Sequence, residues 1–502
     1  MSKIERIFDH SRDVDIEKKD ASGSQTSVVE VGEVAPLSLW KRITLSGMEL
    51  RGVEPVPIEE RNDKHGLNIF TMWWSISLTL LAVTTGLVGT LYDGLSLQAA
   101  SLTILFFTLF AAIPPAALGT LGPQTGMRQI VQARYSFGLY AVTIVALFNL
   151  ATTTGWCIIS TIVAGQTLSA VSGGSLSWNL GIVIIALIAL VIAFLGYKVV
   201  HQYERWCWIP ALVAITITVG CGGHLLKEQA ATEPATAAGV LTFGCVVTSF
   251  TLTWALMASD FSVYTHASVS KTRVFLSIYG GLVLPGVPLM ILGAAIGGAI
   301  LSNPDLSTAF DSGSTGGAML FLLESSNIGT FGKFIAVILA FTLLGNLAGT
   351  IYSISIQFQC LLPFFTRVPR WIFSILISAI IIAAAIPISK SLATALENFL
   401  ALIAYWGAVY VAVVSMEHLV FRKSAAAYDP AIWNNGAKLP MGLAAVGAIA
   451  VPFALIVPCM AVTWYTGPIA RRTGDIGFEV GGVLAVVVYV PLRWAEKRWI
   501  GR

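Results

Sequence analysis

Charge is scarce in this chain. Only 11% of its 502 residues are Asp, Glu, Lys or Arg, less than half the roughly 25% of an average soluble domain. Hydrophobic residues make up 56% and the mean hydropathy is +0.78. A soluble globule cannot hide that much apolar surface, so the chain reads as an all-α, polytopic membrane protein. No basic stripe with interleaved aromatics occurs, which removes nucleic acid from the candidate partners and leaves the lipid bilayer.

Enzymatic patterns are missing as well. There is no Walker loop, HExxH pair, nucleophile elbow or clustered His and Cys set, so no catalytic centre, cofactor or metal is expected. The six cysteines lie in or beside apolar runs without CxxC spacing and read as small buried hydrophobes. Residues 1–67 show no cleavable signal pattern, being polar and ending in charge. They read as a cytosolic tail, disordered over its first part. Residues 37–64 are expected to form a surface amphipathic helix and then a proline-limited extended piece.

What remains is a series of long apolar runs. Hydropathy predicts twelve transmembrane helices near 68–92, 97–117, 138–168, 178–199, 206–225, 237–257, 274–301, 330–358, 371–389, 391–415, 440–465 and 475–493. An even number places both termini on one side, with 494–502 as a short cytoplasmic tail. If that side is the cytoplasm, twenty-five of the 30 Lys and Arg lie inside, and Lys227, Lys333, Lys390, Arg471 and Arg472 lie outside. That asymmetry is what membrane insertion favours; the Arg471/Arg472 pair fits it least. The 118–136 connection is expected to hug the cytosolic surface, and the outer connections 225–236 and 303–330 read as small and polar.

One run organises the rest. Residues 237–264 are long and apolar enough to cross a bilayer, yet the second half carries Thr248, Ser249, Thr251, Thr253 and Trp254. Hydrocarbon offers a hydroxyl no partner, so such a face belongs against protein or a cavity. Residues 68–89 repeat the pattern. Interrupted spans in corresponding places of two halves point to a midplane site. The first span's counterpart is the sixth, and the odd offset inverts its direction. This gives a five-plus-five inverted repeat, 68–225 and 237–415, with two further C-terminal helices in 440–493.

Several side chains are candidates to line that site. Trp156 and Ser160, four apart in the third span, share a helical face, and Gly155 admits a close neighbour. An indole beside a hydroxyl suits a flat, partly polar ligand; packing and a hydroxyl bonded back to its own helix explain the pair equally. Thr253 and Trp254 fall where the sixth span is expected to become irregular. Asn346, between Gly345 and Gly349 in the eighth span, can read the edge of a heterocycle with both donor and acceptor, or bond between helices. Ionisable groups inside spans are functional candidates by default. Glu397 and Asp260 are the proton-titrating candidates, Asp260 also reading as a cap or loop ion pair.

The segments RGVEPVPIEER (51–61), NIFTMWWS (68–75), GPQTGMRQIVQARYSFG (122–138), FLGYKVVHQYERWCWIP (194–210), ASDFSVY (258–264) and GNLAGTIYSISIQFQ (345–359) together resemble the fungal purine-cytosine permease branch of the nucleobase:cation symporter family. The resemblance runs in order from about residue 50 to the end of the tenth span. It implies the LeuT-like inverted-repeat fold, alternating access, and a site in which Trp156, Ser160, Trp254 and Asn346 hold the substrate. By the same resemblance Ala82 stands at a first-span position that is often polar, with Thr84 and Thr85 close by. Asn is common in the family where Ser160 stands. Sodium-coupled relatives carry adjacent hydroxyls where this chain has Ala340 and Phe341, followed by Thr342, so proton coupling is the expectation. The resulting reading is a symporter that takes up a purine or cytosine across the cell membrane. The alternatives are a same-fold importer or exporter of a pyridoxine-like vitamin, nucleoside or secondary metabolite, or a non-transporting receptor.

Overall fold

The computed structural model describes residues 53–64, 66–194, 197–361 and 363–502; the expectations for residues 1–52 lie outside the described residues. The helices are α1 Leu67–Ser77, α2 Leu80–Leu91, α3 Leu97–Ala111, α4 Ile113–Gly119, α5 Leu121–Thr125, α6 Gln129–Val171, α7 Trp178–Phe194, α8 Tyr197–Gly222 and α9 Ala237–Leu252. There follow α10 Ala258–Ser262, α11 Lys271–Ile300, α12 Pro304–Glu324, α13 Thr330–Leu361, α14 Arg370–Ile388, α15 Leu392–Met416, α16 Leu443–Cys459, α17 Ala470–Thr473 and α18 Gly477–Ile500. A two-residue hairpin, Ala461–Val462 against Tyr465–Thr466, links α16 to α17.

Local chemistry sets the helix starts. Ser96, Thr236, Ser270 and Asn303 accept backbone N–H groups that the first turns of α3, α9, α11 and α12 would otherwise leave unpaired. Among the described residues, eight helical runs are long and apolar enough to cross a bilayer, and α1 with α2, bent by 50° at their break, makes a ninth. One run, Arg370–Arg422, has 53 residues, roughly 80 Å of helix against a hydrocarbon core of about 30 Å. Ser391, at φ −134° and ψ 39°, divides it into α14 and α15. With that division and the 17-residue apolar helices α7 and α16, the set is consistent with twelve spans.

The helices pack closely where side chains are small. α2 lies along α11. A Cβ on Gly86 would fall 1.9 Å from the Met290 carbonyl oxygen, and one on Gly293 would fall 2.0 Å from that of Val83. Only glycine fits on both sides of this crossing. α6 runs beside α13, and the terminal pair α16 and α18 packs on itself and on α15. A buried ion cluster fastens α18 to the end of α15: Arg493 reaches Glu417 at 3.1 Å and Glu496 at 3.0 Å, and Arg422 meets Glu417 at 3.0 Å.

Two connections differ from expectation. Residues 303–330 contain the 21-residue helix α12, bent at Ser314 (φ 54°); its short apolar patches are diluted by Ser, Thr, Gly and Asp and give no strong periodic signal. The 118–136 segment lies inside the protein, not on its surface. Arg128, Gln129, Gln132 and Arg134 are all buried, and they find partners there that include Tyr352, Met127 O and Trp433 O. The described end of the tail docks on this segment, with the Arg61 guanidinium donating to Val56 O and Pro123 O. Trp206, Trp371, Trp494 and Trp499 are exposed, as interfacial anchors would be.

Candidate functional site

Both spans read as interrupted are broken. α1 ends at Ser77, Thr79 takes an extended conformation (φ −132°, ψ 158°), and α2 begins at Leu80. The orphaned Leu80 N–H is met from another element, by Thr342 Oγ1 of α13 at 3.2 Å. In the sixth span, α9 tightens into a 3-10 turn at Thr253–Leu256, and Met257 (φ −141°, ψ 12°) turns the chain into α10. Asn149 Nδ2 of α6 donates to the Leu256 carbonyl at 3.4 Å. Loosened backbone at this depth is tolerable because it faces protein and a cavity.

That cavity is a narrow slot between the two breaks, α6 and α13, with about 10 Å³ of free space. α2 contributes Leu81, and α6 contributes Thr152 and Trp156. The sixth span supplies Phe250, Thr253, Trp254 and Met257, and α13 supplies Asn346 and Thr350. Trp156 is held edge-on between Phe250 and Phe399, with ring centroids 5.7 and 5.3 Å away. Gly155 permits this, since a Cβ there would lie 2.2 Å from the Phe399 ring. Trp254 meets Trp73 edge to face at 5.6 Å. Thr152 Oγ1 accepts the Trp406 indole N–H at 2.9 Å. Asn346 Oδ1 has one long contact, from Thr350 Oγ1 at 3.5 Å. The slot therefore offers two indole rings, a thioether and a lightly engaged amide, a combination able to stack on a flat ring and bond its edge.

The structure thus brings Trp156, Thr253, Trp254 and Asn346 together and separates the other candidates. Ser160 lies one turn farther along α6, fully buried, and its Oγ has no partner. Ala82 is fully buried and its neighbour Leu81 faces the slot instead. Thr84 lines a separate cleft with Gln166, Asp311 and Lys390, its Oγ1 lying 3.0 Å from both Leu80 O and Thr315 Oγ1. Thr152, Phe250 and Thr350 were missed, although each stands four residues from Trp156, Trp254 or Asn346 and so shares its helical face.

Neither proton candidate lines the slot. Asp260 sits in a buried knot toward the Gln129 end of α6, where it accepts the Gln129 N–H at 2.8 Å and the Ser353 hydroxyl at 3.0 Å. It therefore caps α6, one of the roles read for it. Glu397 lines another cleft with Asp93 and Asp475. Burial, and then the charge of Glu397, push the Asp93 carboxyl up to about 7.

The proteins this chain is similar to are permeases and transporters. Residues 55–481 match the model of the permease family for cytosine/purines, uracil, thiamine and allantoin. Purine-cytosine permease FCY22 of Saccharomyces cerevisiae is 33% identical over 93% of this chain and 90% of its own length. The vitamin B6 transporter TPN1 of the same yeast is 27% identical over 92% and 90%. Among solved structures, the nucleobase-cation-symport-1 transporter Mhp1, closed around bromovinylhydantoin, superposes with a TM-score of 0.66. That match has 16% identity and covers 90% of this chain and 96% of Mhp1, which shows the LeuT-like fold. The chain is a multi-pass membrane transporter and not an enzyme, and it belongs to the nucleobase:cation symporter family, in its fungal purine-cytosine permease branch.

Proposed function

We propose that the protein carries a purine or cytosine into the cell across the plasma membrane together with a proton, with both termini in the cytoplasm. The observation that carries this reading is the slot itself, where Trp156, Trp254 and Asn346 converge between two broken spans. A planar base stacks on indole faces at about 1 to 3 kcal/mol per ring, and its amide-like edge pairs with the donor and acceptor of Asn346. Proton coupling is supported by the side chains at 340 and 341, Ala and Phe, which offer no oxygen to a sodium ion. Relatives named as nucleobase permeases favour the purine or cytosine reading.

The vitamin B6 transporter supports a second reading, in which the ring is a pyridoxine-like heterocycle. A panel of labelled cytosine, adenine, hypoxanthine and pyridoxine, given to cells lacking their own carriers, separates the two. Uptake of a nucleobase that collapses with a protonophore is the expected result. Uptake of pyridoxine alone, or uptake that follows a sodium gradient, contradicts it.

A further inference from the structure

Among the described residues, Glu204 of α8 is a buried carboxylate without a partner. It is 2% exposed, and neither Oε1 nor Oε2 meets a hydrogen-bond donor. Asp260 accepts a helix N–H and a hydroxyl, and Glu417 and Glu496 hold Arg493, so these buried carboxylates are compensated; Glu479 of α18 shares the lack of a donor on both oxygens but is only partly buried and stands in the last helix. An ionised carboxylate without partners is among the costliest groups to keep within a membrane span.

Its position matters more than its burial. Ser75 Oγ, near the end of α1, donates to the Glu204 carbonyl oxygen. A Cβ placed on Gly345 would lie 3.4 Å from Glu204 Oε1, so the carboxylate rests against the residue that precedes Asn346. Tyr203 donates its hydroxyl to Phe341 O at 3.0 Å and holds α8 on α13. Just past Ser75, the buried hydroxyls of Ser77 and Thr79 flank the break without partners. Glu204 therefore occupies the junction of the broken first span, α8 and α13, behind the amide of the slot.

The groups facing it do not compete for the role. Among the described side chains of its own helix, Tyr203 and Cys207 titrate beside it, and the exposed Arg205 turns to the Trp206 ring. The nearby faces of α1 and α13 bring Ser75 and Gly345, which do not titrate. α7 carries no ionisable residue, and α12 meets α8 at its far end, where Ser325 bonds Cys221 O.

Building on the proton-coupled reading above, we propose that Glu204 is the coupling site. The carboxylate takes one proton from water as the junction closes, and a bound heterocycle favours that closed state. Glu204 returns that proton to water on the other side when the broken span moves away from α8 and α13. The neutral acid can be buried at modest cost and the anion cannot, so closing the loaded junction requires the proton.

The test uses the full-length protein in lipid nanodiscs and vesicles, with labelled cytosine and adenine as probes. Wild type should bind more tightly as pH falls, with a slope approaching about tenfold per pH unit for one linked proton, and should accumulate base under an imposed pH gradient. Glu204→Gln should bind with pH-independent affinity and exchange base across the vesicle, but not accumulate it. Glu204→Asp, which keeps the titrating group, should keep the pH response with a displaced midpoint. Infrared difference spectroscopy should show a protonated-carboxyl band in wild type that Glu204→Gln lacks. This band is read without any base, so if no base binds at all, the substrate reading fails while the band still decides the fate of Glu204. A Glu204→Gln protein with wild-type pH response and accumulation, an unchanged infrared band, or a wild type driven by sodium alone would overturn the proposal.

Discussion

Thr342 Oγ1 accepts the N–H of Leu80 at 3.2 Å while lying 2.6 Å from Leu339 O. A single hydroxyl of α13 thus satisfies the backbone where the first span is broken, and it is fully engaged in doing so. Thr342→Val removes the acceptor and leaves a buried N–H unpaired, which costs about 1 to 3 kcal/mol. The expected outcome is a lower melting temperature of the purified protein and reduced uptake, with Thr342→Ser close to wild type. Equal melting temperatures for Thr342→Val and wild type would contradict this role.

The buried ion cluster gives a second stability prediction. Arg493→Met takes the cation from Glu496 and leaves Glu417 with Arg422 alone. Removing one partner of a buried pair costs about 3 to 5 kcal/mol, so this variant should express poorly and melt early. Replacing Arg493, Glu417 and Glu496 together by apolar residues should recover much of that loss, which thermal melts of the two proteins would compare.

Acidity bears on stability at Asp93. Its folded carboxyl, pushed up to about 7 by burial and Glu397, holds a proton more tightly than an unfolded Asp near 3.9. The fold is unpenalised below the unfolded value and loses stability as pH rises from about 4 to about 7. Melting temperature should therefore fall between about pH 5 and pH 7, and Asp93→Asn should flatten the curve. An identical pH dependence in Asp93→Asn would rule this group out as its source.

Much of this was legible in the chain. Hydroxyls and tryptophans inside otherwise apolar runs marked both broken spans, because polar groups at that depth need protein or a cavity. Trp156, Trp254 and Asn346 stood out by residue type, place in their spans and the family resemblance, and they meet at one slot. Register was harder: Leu81 faces the slot where Ala82 was expected, since one residue turns a helix by about 100°. Glu204 went unnoticed because it sits in a charged stretch, HQYERW, that reads as a cytosolic end. In the structure α8 starts at Tyr197 and carries that stretch inward. Arg128 and Arg134 misled in the same way, their burial resting on partners hundreds of residues away in sequence, such as Tyr352 and Trp433.

The slot makes a graded prediction. Trp156→Ala and Trp254→Ala should each weaken base binding by about 1 to 3 kcal/mol. Gly155→Ala should act through Trp156, since its methyl would strike the Phe399 ring that holds the indole. Transport assays that leave all three variants at wild-type affinity would contradict the stacking role.

The most direct measurement is equilibrium binding of labelled cytosine or adenine to purified wild type, Asn346→Ala and Thr84→Ala, all verified as folded by melting. Asn346 lines the slot, whereas Thr84 lines the separate cleft. Saturable binding by wild type and Thr84→Ala, with none detectable for Asn346→Ala, is the predicted result. Binding by Asn346→Ala at wild-type affinity would contradict the account.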